Sequence, residues 1–313
     1  MRTSLLLACA ACGGPSIQNP APNPTPRPGP APASSPAALP ALAIVSSAEL
    51  VAPGIVSSEH VEIRLAASPD GNTLLWGSTD RPGGPGGWDI WSTRRTGATW
   101  SAPVPVAFDS DANDFDPAFS GDGRWVYFFS NRAGGFGGDD LYRAAVTRDG
   151  FGPAQHLGPE INTAGNEWAP SPSRDGTRLM FASNRPGAKH DLFIARAVGD
   201  GFAPAEPLPG QVNAPATDEF DATFLSDGSS IVFARSTDVD NDPIALYFAA
   251  LGPDGYTAPT PLPASVNVAA GYTLGPSSAG DALYFSGKRP EASAGKLDIY
   301  RVRYTLAPPA TSR

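Results

Sequence analysis

Carboxylates recur at one position of the sequence, eight residues before the aspartate of a repeated Asp-Gly turn. They are Glu62, Asp114, Glu167 and Glu219, with Gly271 at the corresponding position of a fifth, eroded copy. Two residues further on, the chain carries Arg64, Asp116, Ala169, Asp221 and Thr273. If the strands that carry these residues line a central channel, the carboxylates lie at one mouth of it. Charge of one sign at a narrow mouth focuses the electrostatic field, which suits a cation or a Lys- or Arg-bearing partner segment. We therefore predict a partner-binding site that contains Glu62, Asp114, Glu167, Glu219, Asp116 and Asp221.

The same carboxylates have a second interpretation. A residue that appears once per repeat commonly serves the packing of the repeats, here by accepting N–H groups from a neighbouring one. The sequence leaves both roles open.

Two loops alternate carboxylates in a way that directs several oxygen atoms toward one Ca²⁺. Asp238, Asp240 and Asp242 lie in the first loop, and residues 109–113 form the second. Neither loop has the glycine and the glutamate that complete an EF-hand. We keep the Asp238 loop as a candidate Ca²⁺ site, with solvated turn acids as the alternative, and expect no other cofactor.

Catalytic motifs are missing from the sequence. His60, His156 and His190 are far apart and lack the spacing of metal ligands. Two carboxylates among Asp114, Glu167 and Glu219 could cleave a glycosidic bond, but catalytic acids need environments that differ from each other. We predict a protein without enzymatic activity, and the alternative is a carbohydrate-binding or glycoside-cleaving one.

The elements that must position these residues follow from a repeat. The turn aspartates Asp70, Asp122, Asp175 and Asp227 lie 52 or 53 residues apart, and Ala279 takes the place of the fifth. A period near fifty indicates a propeller or a solenoid. Each copy has a short strand, an Asp-Gly turn, an apolar strand, a glycine-rich loop, an Asp-Leu-Tyr strand and a proline-containing edge strand. Four strands per repeat predict an all-β propeller of five blades, or six if residues 41–58 form more than one strand.

The ends of the repeat region predict how the ring closes. The last copy stops after its third strand, residues 297–302, and residues 48–50 resemble the end of a fourth strand. Pairing them would complete one blade from both termini and remove the exposed edges.

Two further residues occur once per blade. The aspartates are Asp89, Asp140, Asp191 and Asp298, and the arginines are Arg81, Arg132, Arg185 and Arg289. We expect them to pair with each other inside each blade and to tie the glycine-rich loop to the third strand.

The pattern S-P-D-G, apolar strand, S-x-R and D-I/L-Y/W resembles the WD-like propeller repeat of the TolB family, over residues 59–304. The resemblance implies a binding role for a protein partner in the bacterial envelope. The chain departs from the family because it has no room for an N-terminal α/β domain, and because Ala245 replaces the aspartate in the fourth repeat.

The N-terminus reads as a targeting signal, with Arg2, an apolar run at residues 5–8 and small residues up to a cysteine. It resembles a bacterial lipobox with Cys12 as the lipidated residue, or Cys9 as the alternative; a plain secretory signal is the other interpretation. We predict a signal peptide at residues 1–12, a disordered proline-rich stalk at 13–41, the propeller at 42–306 and a disordered tail at 307–313.

Composition completes the prediction. A net charge of −9 disfavours nucleic acid, and no apolar run is long enough to span a membrane. Gly13 after Cys12 implies, by resemblance to lipoproteins, the outer membrane. The predicted function is a monomeric, lipid-anchored envelope propeller that binds a protein or peptide at its channel mouth.

Overall fold

The computed structural model describes residues 39–307, except 186, 188, 269–270 and 290–292. The described residues form strands and turns, and they include no helix that could cross a membrane. The predicted signal peptide, both cysteines and nearly all of the predicted stalk lie outside this part of the chain.

The strands fall into five antiparallel sheets, in chain order. Two short strands come first, β1 (Ala41–Ile44) and β2 (Glu49–Leu50). Blade one contains β3 (Val61–Ala67), β4 (Thr73–Thr79), β5 (Trp88–Thr96), β6 (Thr99–Trp100) and β7 (Val104–Pro105). Blade two contains β8 (Asp114–Phe119), β9 (Trp125–Ser130), β10 (Asp140–Thr147) and β11 (Gly150–His156).

The remaining blades repeat this order. Blade three contains β12 (Glu167–Pro172), β13 (Arg178–Ser183), β14 (Asp191–Val198), β15 (Gly201–Phe202) and β16 (Glu206–Pro207). Blade four contains β17 (Asp218–Phe224), β18 (Ile231–Ser236), β19 (Ala245–Ala249), a small hairpin of β20 (Leu251–Gly252) and β21 (Gly255–Tyr256), and β22 (Thr260–Pro261). Blade five contains β23 (Thr273–Ala279), β24 (Ala282–Gly287) and β25 (Asp298–Ala307), to which β1 and β2 are added.

The five inner strands form a closed ring, because β3, β8, β12, β17 and β23 each contact the next and β23 contacts β3 again. The ring is closed by strands from both ends of the chain. Strand β1 pairs with β25 from Ala41 opposite Ala307, and β2 adds Glu49 opposite Arg301. The prediction of a five-bladed propeller whose termini share a blade is confirmed.

The core lies between blades, which explains the continuous apolar second strands. Phe128 of blade two is fully buried and belongs to one cluster with Leu75 and Ile90 of blade one. A strand whose two faces both meet a neighbouring sheet needs apolar side chains at every position rather than at alternate ones.

Every inner strand has a bulge at the same place. Its pairing with the second strand shifts by one residue there, and the bulged residue has a positive φ. These residues are Arg64 (φ 52°), Asp116 (51°), Ala169 (51°), Asp221 (50°) and Gly275 (59°). Four of the five carry side chains in a region where only glycine is free of strain, a conformation associated with functional sites.

The bulge corrects one part of the sequence alignment. In blade two Asp114 pairs with Ser130, and in blade five the equivalent pair is Thr273 with Gly287. Thr273 rather than Gly271 is therefore the counterpart of the carboxylates, and the bulge falls on Gly275 rather than on Thr273. The cause is a shorter turn: Ala279 pairs directly with Ala282 around a two-residue hairpin, so the count back from the turn is displaced.

Candidate functional site

The four repeated carboxylates, which we call the carboxylate ring, are fully buried, with no exposed surface on Glu62, Asp114, Glu167 or Glu219. Each forms an ion pair with an arginine of its own blade: Arg81 with Glu62 at 3.1 Å, Arg132 with Asp114, Arg185 with Glu167 at 3.4 Å, and Arg235 with Glu219 at 2.8 Å. Burial raises the pKa of Glu62 and Glu219 above the usual value of a glutamate. Their hydrogen bonds and the arginines act in the opposite direction and offset only part of this rise.

The arginines are themselves fixed by the blade. The guanidinium of Arg132 lies 5.3 Å from the ring centre of Phe128 and 5.1 Å from that of Tyr142, and it donates to the carbonyl of Phe108 at 3.0 Å. Equivalent contacts hold the arginines of the other blades. A cation held between aromatic faces and a carbonyl has little freedom to turn toward solvent.

The carboxylate ring also joins neighbouring blades. The backbone N–H of Glu167 donates to the carbonyl of Asp139 in blade two at 2.8 Å, while its carboxylate accepts the N–H of Thr163 at 2.8 Å. Glu62 and Glu219 make the same kind of interblade backbone bond. These contacts match the second interpretation of the repeated acids, and partner binding by these four carboxylates stays a prediction.

The once-per-blade aspartates do not pair with the arginines, so that expectation was wrong. Asp140 accepts the backbone N–H of Phe136 at 2.9 Å, and Asp298 accepts that of Ala294 at 2.8 Å. Asp89 accepts the N–H of Gly86 at 2.8 Å. These three aspartates tie the glycine-rich loop to the third strand, as expected. Arg81, Arg132 and Arg185 reach the inner-strand carboxylates instead, and Arg289 donates to the carbonyl of Val266.

A cavity of about 340 Å³ opens at the end of the channel where the inner strands begin. We call it the mouth cavity. The residue before each bulge forms a continuous apolar collar around it: Ile63, Phe115, Trp168, Phe220 and Leu274. Its polar lining consists of Asp116, Asp221, Asp139, Asn113 and Asn131, with no Lys or Arg among the described lining residues.

The bulged residues form a second ring next to the collar, which we call the floor ring: Arg64, Asp116, Ala169, Asp221 and Gly275. Asp116 is 4% exposed and Asp221 5% exposed, and the two carboxyl groups lie close enough for each to shift the pKa of the other. Burial and the negative charge of Asp221 raise the pKa of Asp116 well above its usual value.

Asp221 has partners that favour its charged form. Burial raises its pKa too, but Arg64 and the backbone N–H of Gly275 oppose that rise. Its carboxylate lies 3.9 Å from the Nη1 of Arg64 and accepts the N–H of Gly275 at 2.9 Å. The Oδ1 of Asp116, in contrast, has no hydrogen-bond partner among the described residues.

An arc of aromatic rings lines one side of the mouth. Trp88 meets Phe115 edge-on at 4.3 Å between ring centres, Phe115 lies 5.8 Å from Phe129, and Phe129 lies 6.5 Å from Trp168. Trp168 stacks on His190 at 3.8 Å.

Contacts behind the arc fix the orientation of Trp168. Its indole N–H donates to Asp139 at 2.7 Å, and His190 beneath it lies 3.2 Å from Asp218. Burial lowers the pKa of His190. The arc is therefore held in place before any ligand arrives, as a binding surface requires.

Arg64 fills the channel beyond the floor ring. Its Nη2 donates to the carbonyls of Pro170 and Ala222, both at 3.2 Å, and its side chain is 2% exposed. A second cavity, of about 280 Å³, lies on the far side near the Asp-Gly turns and is lined by Arg64, Arg174 and several serines. The two ends of the channel thus differ in charge.

The Asp238 loop uses its carboxylates locally. Asp238 accepts the backbone N–H of Asp240 at 3.0 Å and the side-chain amide of Asn241 at 3.0 Å, and Asp242 accepts the hydroxyl of Thr237 at 2.6 Å. The described residues contain no group of three or more His, Cys, Asp or Glu that could hold a metal ion. The predicted set Asp238, Asp240 and Asp242 is therefore not brought together as a Ca²⁺ site.

Sequence reasoning named Asp116 and Asp221 but missed the apolar collar and Asp139. The sequence did contain a signal for the collar. An apolar residue follows each of the four repeated carboxylates directly, so four of the five collar positions could have been located from the repeat. Trp88 lines the mouth cavity, whereas Trp91 is 4% exposed and belongs to the core.

No family model matches this sequence, and no curated protein matches it. Solved structures do match. TolB from Acinetobacter baumannii is 13% identical, with a TM-score of 0.45, over 79% of this chain and 56% of the TolB chain, so the alignment spans little more than half of that protein. A TolB protein from Agrobacterium tumefaciens is 15% identical, with a TM-score of 0.48, over 78% of this chain and 83% of that one.

An enzyme is also among the similar structures. The periplasmic gluconolactonase of Pseudomonas aeruginosa is 16% identical, with a TM-score of 0.43, over 76% of this chain and 70% of that one. At these identities and TM-scores the matches carry no conclusion about what this chain does.

Proposed function

We propose that this protein is a non-catalytic binding module of the bacterial envelope, which takes a segment of a protein or peptide partner into the mouth cavity. The observation that carries the proposal is the cavity itself, in which a fixed aromatic arc surrounds buried carboxyl groups. Apolar walls with a few convergent polar groups are the usual composition of a binding site.

The size of the cavity favours a short segment over a larger ligand. A volume of about 340 Å³ is at the lower end of ligand pockets, which span roughly 300–1,000 Å³. The segment would insert one or two side chains, and the rest of the partner would lie on the surrounding surface.

The geometry gives less support to glycoside cleavage. Glycosidases separate their two carboxyl groups by about 5–10 Å so that sugar and water can enter. Asp116 and Asp221 are instead buried close to each other, and Asp114, Glu167 and Glu219 are fully buried in arginine pairs. Binding is therefore the function that these residues serve best.

The proposed location is the outer membrane, through a lipid on Cys12 or, as the alternative, Cys9. Mass spectrometry of the mature N-terminus, for the native protein and for Cys12→Ser and Cys9→Ser, tests the anchor. We expect only one of the two substitutions to release the protein from membranes, and release by neither would contradict lipid anchoring.

Affinity capture with the full chain, solubilised from the envelope, tests the binding site. We compare the native chain with Trp88→Ala at the mouth and with Trp100→Ala on the outer strand β6. We expect a partner that Trp88→Ala loses and Trp100→Ala retains. Equal capture by both variants would contradict binding at the mouth.

A further inference from the structure

We propose that the ligand group recognised in the mouth cavity is one cationic side chain, the guanidinium of an arginine or the ammonium of a lysine, with Asp116 and Asp221 as its counter-charges. This inference rests on the proposed function and names the chemical class that the site selects.

The first argument is the state of Asp116. Its side chain lines the cavity, is 4% exposed and leaves Oδ1 without a hydrogen-bond partner. A buried carboxyl oxygen without a partner is costly, and native proteins rarely keep one without a use. A cationic donor is the partner that would satisfy it most strongly.

The second argument is the charge of the lining. Asp116, Asp221 and Asp139 all contribute carboxyl groups to the cavity, whereas the described lining contains no Lys or Arg. The nearest cation, Arg64, lies 3.9 Å from Asp221 through its Nη1 and donates from its Nη2 to the carbonyls of Pro170 and Ala222. Neither group gives the Oδ1 of Asp116 a hydrogen-bond partner, so that oxygen is left to a ligand.

The third argument is the aromatic arc. Trp88, Phe115, Phe129 and Trp168 present ring faces and edges at the entrance. A guanidinium or ammonium group is attracted to aromatic faces within about 6 Å. The aliphatic stem of the same side chain would pack on the collar, because lysine and arginine carry an apolar stem below a charged end.

Binding of the cation must compete with protonation of these carboxyl groups, because burial raises the pKa of both. The groups that face Asp116 are Asp221 and Arg64 of the floor ring and Asp139 at the start of β10, and His190 also acts on Asp221. Ala169 and Gly275, the other members of the floor ring, bring no charge. Since the cation takes the place of a proton, its affinity rises with pH while the pair is protonated.

The test uses the full-length protein and four capped tripeptides as probes: Gly-Arg-Gly, Gly-citrulline-Gly, Gly-Lys-Gly and Gly-norleucine-Gly. Citrulline and norleucine keep the length of arginine and lysine without the charge. The indole N–H resonance of Trp168 reports binding, since this group donates to Asp139 in the wall of the cavity.

We expect the arginine probe to bind at least about tenfold more tightly than the citrulline probe, the size of effect that one charge-assisted hydrogen bond gives. The lysine and norleucine probes should differ in the same direction. The affinity of both cationic probes should rise from pH 5 to pH 7, and that of the neutral probes should not.

Asp116→Asn supplies the decisive variant, because asparagine keeps the shape of the protonated carboxyl but cannot become an anion. The preference for arginine over citrulline should fall to within about threefold. The matched control, Asp254→Asn in the exposed turn between β20 and β21, should keep the full preference. A melting curve of each variant establishes that it is folded.

Two results would overturn the inference. Neutral probes that bind as tightly as cationic ones would leave binding at the mouth intact and remove the cationic class. If none of the four probes bound, the mouth cavity would not recognise a single side chain and the inference would be wrong. The Trp88→Ala capture experiment decides separately whether the mouth binds a partner.

Discussion

Two rings of the same channel, two residues apart in every inner strand, use their charges in opposite ways. In the carboxylate ring, Glu62, Asp114, Glu167 and Glu219 are each neutralised by an arginine of their own blade. In the floor ring, the five residues differ in charge: Arg64 and Asp221 form an ion pair, burial raises the pKa of Asp116, and Ala169 and Gly275 carry no charge. We expect the uniform ring to serve the architecture, and we propose that the variable ring distinguishes a ligand from its competitors.

The largest expected effect comes from the uniform ring. Glu167→Gln leaves Arg185 buried without its counter-charge, and breaking a buried ion pair from one side costs about 3–5 kcal/mol of unfolding free energy. Urea unfolding measures the loss. The control is Glu160→Gln, the same substitution at an exposed site.

The folded fraction of Glu167→Gln should still bind the arginine probe with nearly native affinity. A stability loss below about 1 kcal/mol would contradict a structural role for the pair. A loss of probe affinity without a loss of stability would instead indicate that Glu167 takes part in binding.

The floor ring should show the reverse behaviour. Asp116→Asn exchanges a buried carboxyl whose pKa is raised for a neutral amide of the same shape, so we expect the free energy of unfolding to change by less than about 1 kcal/mol. Probe affinity should fall about tenfold or more, which corresponds to about 1.4 kcal/mol. Denaturant melts and probe titrations on the same sample separate the two quantities, and parallel losses in both would contradict the comparison.

Variation between blades is not always a sign of function, as Asp109 illustrates. In three blades an asparagine bonds both backbone groups of a third-strand leucine; Asn162, for example, accepts from Leu141 N–H at 2.7 Å and donates to its carbonyl at 3.0 Å. Asp109 accepts the N–H of Ile90 at 3.0 Å, but a charged carboxylate cannot donate to the carbonyl. Burial and the nearby Asp114 and Asp89 raise the pKa of Asp109 to about 9, so the protonated acid acts as the asparagine does elsewhere.

We therefore expect Asp109→Asn to stabilise the protein by about 1 kcal/mol near pH 8. The folded-state pKa of Asp109, about 9, lies above the unfolded value of about 3.9. The stability that this proton contributes is thus complete below about pH 4 and is lost progressively as the pH rises toward 9. Urea unfolding between pH 4 and pH 9 should show a smaller decline for the variant than for the native chain.

The reverse exchange provides the matched control. Asn162→Asp should destabilise blade two by about 1–3 kcal/mol near pH 8, because it removes a buried donor. It should also make the decline of stability with pH steeper. If Asp109→Asn left the pH dependence unchanged, Asp109 would not carry the proton assigned to it.

The smallest effect is expected at the Asp238 loop. Its carboxylates accept N–H and hydroxyl groups of the loop itself, so added Ca²⁺ should shift the melting temperature by less than about 1 °C. Differential scanning calorimetry with and without millimolar Ca²⁺ measures this. A larger shift that Asp238→Asn abolishes would restore the metal site.

The period of the sequence was sufficient to predict the fold. The spacing of Asp70, Asp122, Asp175 and Asp227 located the inner strands, and residues 48–50 were recognised as the closing strand. The ion-pair partners of the arginines were harder to predict from the sequence. Arg132 lies nearer in sequence to Asp140 than to Asp114, and only the geometry of the hairpin brings it to Asp114 on the inner strand.

Blade four forms the same carboxylate–arginine pair from a different sequence position. Arg235 pairs directly with Glu219 across the two strands. The first three blades have a serine at that position, and their arginine comes from the turn that follows it. In the site, Asp116 and Asp221 could be named from the repeat. Their proximity and their raised pKa values could not be predicted, because these depend on which blades face each other across the channel, and no local pattern encodes that.

The most direct test of the central claim is site-specific photocrosslinking at the two ends of the channel in envelopes that contain the full-length protein. One photoreactive residue replaces Asn131, which lines the mouth cavity, and another replaces Arg174, which lines the cavity at the Asp-Gly turns. We predict a crosslinked peptide from position 131, with an arginine or lysine near the attachment point, and none from position 174. Crosslinks from position 174 alone, or from neither position, would contradict a binding site at the mouth.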